Sequence, residues 1–457
     1  MPASLNSISP LDGRYYDQVQ ELASIFSEQA LMKYRLQVEI EYLIALSKEP
    51  KIKELKSFSE KEITVARKLY QNFSDNDAKK VKQIEKRTDH DVKALEYFAK
   101  EELTRVLPES AFEFFHFALT SEDINNLAYA FALRDGLKVY SQNIQKLLSI
   151  LGSMAKKFRS SSMLSLTHGQ PATPTTLGKE LAVFYFRLEI QRKKLNLIKL
   201  SGKFSGTTGN FAAHVLAYPN MDWVAFAKNF VEGLGLQYNF LTTQIEPHDI
   251  SAEVFQILIR INCIIRDLDQ DMWLYVMRGV FRQKAVKGET GSSTMPHKIN
   301  PRRFENSEGN IKIANSVLGS LAENLTVSRM QRDLSDSTLI RNQGIAIGYS
   351  LLAVKSTFDG FGRLDFDKEK AMEELENNPE VITEAVQTIL RKVGYPKPYE
   401  AMKKLSRGKK ISLKDLQAFV RSLKIPQEEK KKLLALTPEK YTGLAAKLVR
   451  NIFKFKI

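Results

Sequence analysis

EVFQILIRINCIIRDLDQDMWLYVMRGVF, residues 253–281, carries its apolar side chains at steps of three and four. Val254, Ile257, Ile261, Ile264, Leu268, Met272 and Tyr275 form one stripe, and Leu258, Ile265 and Val276 widen it. That spacing fits the 3.6-residue turn of a helix and not the two-residue repeat of a strand, so one long amphipathic helix is expected. Proline is absent from His248 to Met295, from Glu109 to Gln170 and from Arg302 to Asn378, and runs of that length without a helix breaker suit long helices. The same periodicity recurs over residues 121–158, 177–204, 303–328 and 340–358. The fold class is therefore all-α, with a bundle of long helices at its centre.

Shorter helical patterns flank the bundle. SPLDGRY, SKEPK and FSDND punctuate the N-terminal part, and NNPE, GYPKP, SRGKK and LTPEK the C-terminal part. Three helical domains are expected, at 1–110, 111–364 and 365–457. The 457 residues are 43% hydrophobic and 26% charged, a globular composition with too many apolar residues for disorder. The single cysteine, Cys263, excludes an intrachain disulfide and reads as a small core residue. No uncharged apolar run approaches the ~18 residues of a membrane span, and MPASLNSISP lacks the charge and hydrophobicity of an export signal. A cytoplasmic protein with no membrane partner is expected. Its net charge is +15, and from Phe366 onward 21 lysines and arginines face 12 acidic residues. Those basic runs lack interleaved aromatics and read as solvated helix faces, not as a nucleic-acid arm. Apolar stripes this broad also suggest that the long helices bury surface against copies of the chain.

Polar residues crowd the segments between the helices: THGQPATPTTLGKE (167–180), TTQIEPHD (242–249) and GSSTMPHKINP (291–301). Asn300 followed by Pro301 is a helix start, with Asn as cap and Pro in the first position. A helix N-terminus with Lys298 beside it attracts an anion. Gly288 and the Gly291–Ser292–Ser293 segment have no apolar period, as suits a closing lid. His168, between Thr167 and Gly169 at a helix break, can serve as general acid or base. His116 and His214, among aromatics and alanines, read as structural; His90, between Asp89 and Asp91, reads as a charge-tuned imidazole or a metal ligand. No HExxH, paired cysteines or EF-hand spacing supports a metal, and no Walker loop, GxGxxG or GxSxG occurs. Phosphate would then be held by side chains, with Arg14 and Tyr15 in DGRYY, Thr120 and Ser121 in LTSED, and Arg332, Ser337 and Arg341 in QRDLSDSTLIR as candidates.

GSSTMPHKINP closely resembles the GSSxMPxKxNP signature of the fumarase/aspartase superfamily, whose members eliminate fumarate from a succinyl group. SPLDGRY, TDHDVKA, TSEDINN, THGQPATP, TTQIEPHD and QRDLSDST extend the resemblance over residues 7 to about 345, toward the branch acting in purine synthesis. The resemblance implies a three-domain helical subunit, a homotetramer with active sites shared between subunits, and no cofactor or metal. The implied substrates are anionic nucleotides: adenylosuccinate and the analogous succinyl-carboxamide ribotide. It implies Ser292 as general base and His168 as general acid, with Glu305 orienting His168. Ser293, Lys298, Asn300 and Asn306 are implied contacts to substrate, with Thr120, Ser121 and Gln244 nearby; His90 and Asp91, Arg14 and Tyr15, and Arg332, Ser337 and Arg341 face the phosphate and ribose. Asp89 departs from the Asn or Arg frequent at that position. A β-elimination of this kind needs a base for a weakly acidic C–H, fixed positive partners for the carbanion, and an acid for the departing nitrogen.

Overall fold

The structure, a computed structural model, describes residues 5–291, 293–408 and 411–454. The elements are overwhelmingly helical, and the chain divides into two compact units. One comprises Met1–Ile144, Gln191–Cys263 and Gly309–Lys355, the other Gln145–Ile190, Ile264–Glu308 and Ser356–Ile457. The long helices Ser121–Lys157, Leu177–Leu197, Asp249–Met277, Arg302–Asn324 and Gln343–Gly362 contribute residues to both.

The Val254–Tyr275 stripe is buried as its spacing requires: Val254, Leu258, Ile261, Ile265 and Leu268 are fully inaccessible. The helix starts earlier than the 253–281 pattern, at Asp249, and stops at Met277. Gly279 adopts φ 78°, a left-handed conformation that ends a helix cheaply only at glycine, and Phe281–Gln283 then pairs antiparallel with Leu364–Phe366. The expected 177–204 helix is also shorter. It ends at Leu197, and Ser201–Gly202 forms a parallel pair with Gln237–Tyr238. Gly202 is placed where a Cβ would lie 2.4 Å from Leu127, so close packing, and not helical periodicity, governs that segment.

In the first unit the core gathers around the Glu28–Ser47 helix, with Leu36, Val38, Ile40 and Tyr42 inaccessible. Tyr42 meets Phe204 edge-on at 4.9 Å and donates its hydroxyl to the Phe117 carbonyl at 2.9 Å. Asn262 accepts from Tyr140 at 3.2 Å and donates to Ser350 and Asn315, both at 2.9 Å. This satisfied polar knot fixes the register of four helices inside an apolar core.

Lys203 and Asp123 form an ion pair at 2.7 Å with neither side chain exposed. The remaining bonding capacity is used: Lys203 donates to the Gly206 carbonyl at 2.6 Å, and Asp123 accepts from the amides of Ser205 and Thr120, each at 2.9 Å. Removing one partner strands a charge in a dry interior. We expect Lys203→Met to lose about 3–5 kcal/mol of stability, read by urea denaturation, and replacement of both partners by apolar residues to recover much of it. A Lys203→Met protein as stable as its parent would refute that role.

In the second unit, Leu164, Leu375, Val381, Val386, Leu390, Met402, Leu416 and Val420 form one buried cluster among the C-terminal helices. Arg278 ties it together, pairing with Glu374 at 2.6 Å and donating to the Leu164 carbonyl at 3.0 Å.

Candidate active site

Helix starts build most of the site in the first unit. Thr120 precedes the Ser121–Lys157 helix and its amide is capped by Asp123, three residues on. His90 caps Asp91–Leu103, its Nδ1 accepting from the Lys93 amide at 3.1 Å. That bond places the ring proton of the neutral imidazole on Nε2, leaving a donor for a ligand. Asp89 occupies the left-handed position, φ 50°, that ends the preceding Asp75–Thr88 helix. Asp and Asn tolerate this conformation better than most residues, which suits the residue type there, and Asp89 lines the same cavity as His90 and Asp91.

These segments meet Arg332, Ser337 and Arg341 around a cavity of about 380 Å³. Its lining includes six of the residues expected from motifs far apart in the chain: His90, Asp91, Ser121, Arg332, Ser337 and Arg341. Gln244 joins them by accepting from Arg332 at 3.4 Å. Arg14 and Tyr15 are not among the lining residues. Arg14 stands 5.9 Å over the Tyr15 ring, and their neighbours Asp12 and Tyr16 line a second cavity of about 200 Å³ that shares Arg341 with the first.

Sequence reading missed Arg35. Its side chain is 5% exposed, donates from Nε to Asn125 at 2.8 Å, and pairs through Nη1 with Asp91 at 2.8 Å. Arg341 approaches the same carboxylate at 3.5 Å. Burial alone would raise Asp91, but Arg35, ahead of Arg341, outweighs it and holds the carboxyl below its ordinary range. Asp91 therefore serves as the shared anion for two guanidiniums and is not available as a proton carrier near neutral pH. Glu122, His248 and Asp336 were also missed; they are buried, and one ligand atom from each lies within 4.8 Å of the others. His116 pairs with buried Glu39 at 2.6 Å, and His214 is buried against Trp223 at 4.7 Å, in keeping with structural roles.

In the second unit the THGQPATPTT segment is a β-hairpin, where only a helix break was expected. Ser162–Thr167 pairs with Gln170–Thr176, and His168 and Gly169 are its two-residue turn. Both have positive φ, 53° and 71°, the requirement of a tight turn matching the twist of the strands. His168 is exposed at the tip and forms no hydrogen bond among the described residues.

The signature segment follows the strand Phe281–Gln283. Ser292 lies outside the described residues, while Ser293 and Lys298 are exposed. Asn300 is not the helix cap. The helix begins at Arg302, and Asn300 donates instead to the Gly291 carbonyl at 3.4 Å. A Cβ at Gly291 would lie 2.2 Å from the Lys298 carbonyl, so the two ends of the segment close on one another across a glycine. Glu289 anchors it, accepting from Arg363 at 2.6 and 2.9 Å and from Arg302 at 3.1 Å. On the following helix Glu305 accepts from the Trp273 indole at 3.0 Å, and Asn306 accepts from Ser356 at 2.8 Å. The Glu305 carboxylate is therefore already oriented within its own unit.

Residues 13–319 match a lyase family and residues 328–442 the adenylosuccinate lyase C-terminal family. The adenylosuccinate lyase of Escherichia coli K12 is 46% identical over 453 residues, covering 98% of this chain and 99% of the relative. That of Haemophilus influenzae is 46% identical over 454 residues, with the same coverage. Among solved structures, a fumarate lyase from Mesorhizobium sp. BNC1 superimposes with TM-score 0.76 at 18% identity, covering 96% of this chain and 98% of that one. A 3-carboxy-cis,cis-muconate lactonizing enzyme from Pseudomonas putida gives 0.75 at 19% identity, covering 95% and 96%. At those identities the two structures speak for the fold, and the sequence relatives carry the rest. Matched almost end to end by curated relatives and by both halves of the family description, the chain belongs to the adenylosuccinate lyase family of carbon–nitrogen lyases.

Proposed function

We propose that the protein cleaves adenylosuccinate to AMP and fumarate, and succinyl-aminoimidazole-carboxamide ribotide to the corresponding carboxamide ribotide and fumarate, in the cytoplasm. The observation that carries this reading is the 380 Å³ cavity on which His90, Asp91, Ser121, Arg332, Ser337 and Arg341 converge. Two guanidiniums, a hydroxyl pair and an imidazole N–H suit a phosphorylated ribose. The three expected segments, 1–110, 111–364 and 365–457, belong to the same reading.

In the proposed mechanism Ser292 removes the proton from the carbon next to the succinyl carboxylate. A serine hydroxyl is a poor base in water. It becomes competent when the loop excludes solvent and Lys298 stabilises the anions that form, with Ser293, Asn300 and Asn306 holding the carboxylates. Thr120, Ser121 and Gln244 complete the contacts, and Arg14 and Tyr15 add to the phosphate side. His168 protonates the departing nitrogen, with Glu305 polarising its ring. No step calls for a metal or cofactor.

Among the described residues His168 has no partner, and Glu305 is already held by Trp273, so the acid and its orienting carboxylate are proposed to meet in a homotetramer whose active sites are shared between subunits. The exposed Val183, Trp273, Leu274, Met277, Ile313 and Phe358 on the long helices supply apolar surface for that assembly. Incubation with adenylosuccinate, followed by quantifying fumarate, tests the activity: stoichiometric fumarate and AMP are expected, and substrate recovered unchanged would refute it. Light scattering at micromolar concentration tests the assembly, and a monomer would refute that part.

A further inference from the structure

Beneath the nucleotide cavity lies a buried group of ionisable side chains to which the mechanism gives no role. Glu122 and Asp336 are each 5% exposed and His248 is 4% exposed. Glu122 follows Ser121 in the first turn of its helix, Asp336 precedes Ser337, and His248 stands immediately before the Asp249–Met277 helix. Arg332 reaches into the group from the cavity. Its Nη2 lies 3.5 Å from Glu122 Oε2 and 3.9 Å from Asp336 Oδ1, while Nη1 donates to Gln244.

We propose that Glu122 acts as an uncharged carboxylic acid which, with Asp336, positions Arg332 for the anionic substrate, so that ionising Glu122 leaves the base of the cavity net negative and repels that substrate. Glu122 and Asp336 are positioning residues in this scheme. It rests on the reading of Arg332 as a substrate contact.

The charges facing Glu122 are Arg332, Asp336, Asp123 and Lys203, with His248 beside it. Lys203 and Asp123 neutralise one another at 2.7 Å. Arg332 is then balanced by Asp336, and a second carboxylate would leave the dry base of the cavity net negative, where a nucleotide phosphate has to sit. Burial, opposed by Arg332, pushes the Glu122 carboxyl up to about 8, and burial pushes the His248 imidazole down. Near pH 7 both are therefore neutral, and Arg332 retains its charge for a ligand. Glu122, His248 and Asp336 also have the donor types of a metal site, but the guanidinium already occupies the position of the compensating cation.

Because Glu122 loses its proton as pH rises through about 8, binding should weaken above that pH and not below it. The phosphate and carboxylates of the substrate are already ionised there and contribute no titration of their own. The test is KM for adenylosuccinate from pH 6.5 to 9.5 with the full-length enzyme. In the wild type KM is expected to climb by up to about tenfold per pH unit beyond the transition. Glu122→Gln, which copies the uncharged acid, should flatten that climb, and Asp336→Asn should raise KM at every pH. An alkaline limb unchanged in Glu122→Gln would overturn the proposal. So would one tightly bound divalent metal per chain, found by elemental analysis and lost in Glu122→Gln.

Should the variant not fold, the wild type decides. Calorimetry of AMP binding at pH 8, in two buffers of different ionisation enthalpy, should show net proton uptake, because a ligand that favours neutral Glu122 must raise its proton affinity in return. No uptake would overturn the proposal. Absence of fumarate from the wild type at every pH would instead refute the assigned activity.

Discussion

Ser292→Ala is expected to lower kcat by about three to four orders of magnitude, with KM changed far less. The reason is chemical. A hydroxyl that becomes a base only as the transition state forms contributes little to ground-state binding, so its removal appears in kcat. The surroundings should survive the change, since the closure of the segment depends on the Asn300–Gly291 bond and the Glu289–Arg363 pair, neither involving residue 292. Stopped-flow measurement of fumarate formation, with AMP binding as the control, checks it. A Ser292→Ala enzyme within tenfold of its parent would move the base to another residue.

The second large effect is expected at His168. Its φ of 53° makes the choice of substitution matter, because alanine there would add backbone strain to the loss of the imidazole. Asparagine accepts the left-handed conformation and should preserve the turn. We therefore expect His168→Asn to retain parental helicity and melting temperature while kcat falls about 10²- to 10⁴-fold. A substrate analogue whose leaving group needs no proton should recover much of the loss. Equal loss with such an analogue would identify His168 as a structural residue and not the acid.

The parts of the molecule legible in its sequence are those governed by local pattern. Val254 to Tyr275 announce a helix because their spacing is the spacing of the buried face; all seven are buried as expected, and of the three residues that widen the stripe only Val276 is partly exposed. The signature loop, His90 and the QRDLSDST run stand out in the sequence because polar residues there interrupt helical periodicity, and His90, Arg332, Ser337 and Arg341 do line one cavity. The hairpin around His168 was not. QPATPTT contains two prolines and no alternation of apolar and polar residues, so its pairing with SMLSLT depends on the tertiary register and the His168–Gly169 turn.

Arg35 and Glu122 were hidden for a related reason. Arg35 lies in LMKYRLQVEIEY, where a charged residue reads as the solvated edge of a helix, and only the approach of Asp91 and Asn125 makes its burial tolerable. Glu122 sits in TSED, which reads as a helix cap, and Asp123 performs that function in the structure while Glu122 turns inward to Arg332. The Asn300–Pro301 helix start was displaced by one residue because the Asn300 amide is used to close the loop. Charged residues that depend on distant partners carry no periodic signal, and the sites they build become visible only when the chain is folded.

In the proposed assembly the base and the acid that act on one substrate belong to different copies of the chain. Ser292→Ala and His168→Asn proteins, each nearly inactive, should be mixed, dissociated in mild denaturant and reassembled. Random assembly leaves about one site in four with both native groups, so about a quarter of parental activity should return. Mixtures no more active than the separate variants would show that both groups come from a single chain, and would contradict the shared site.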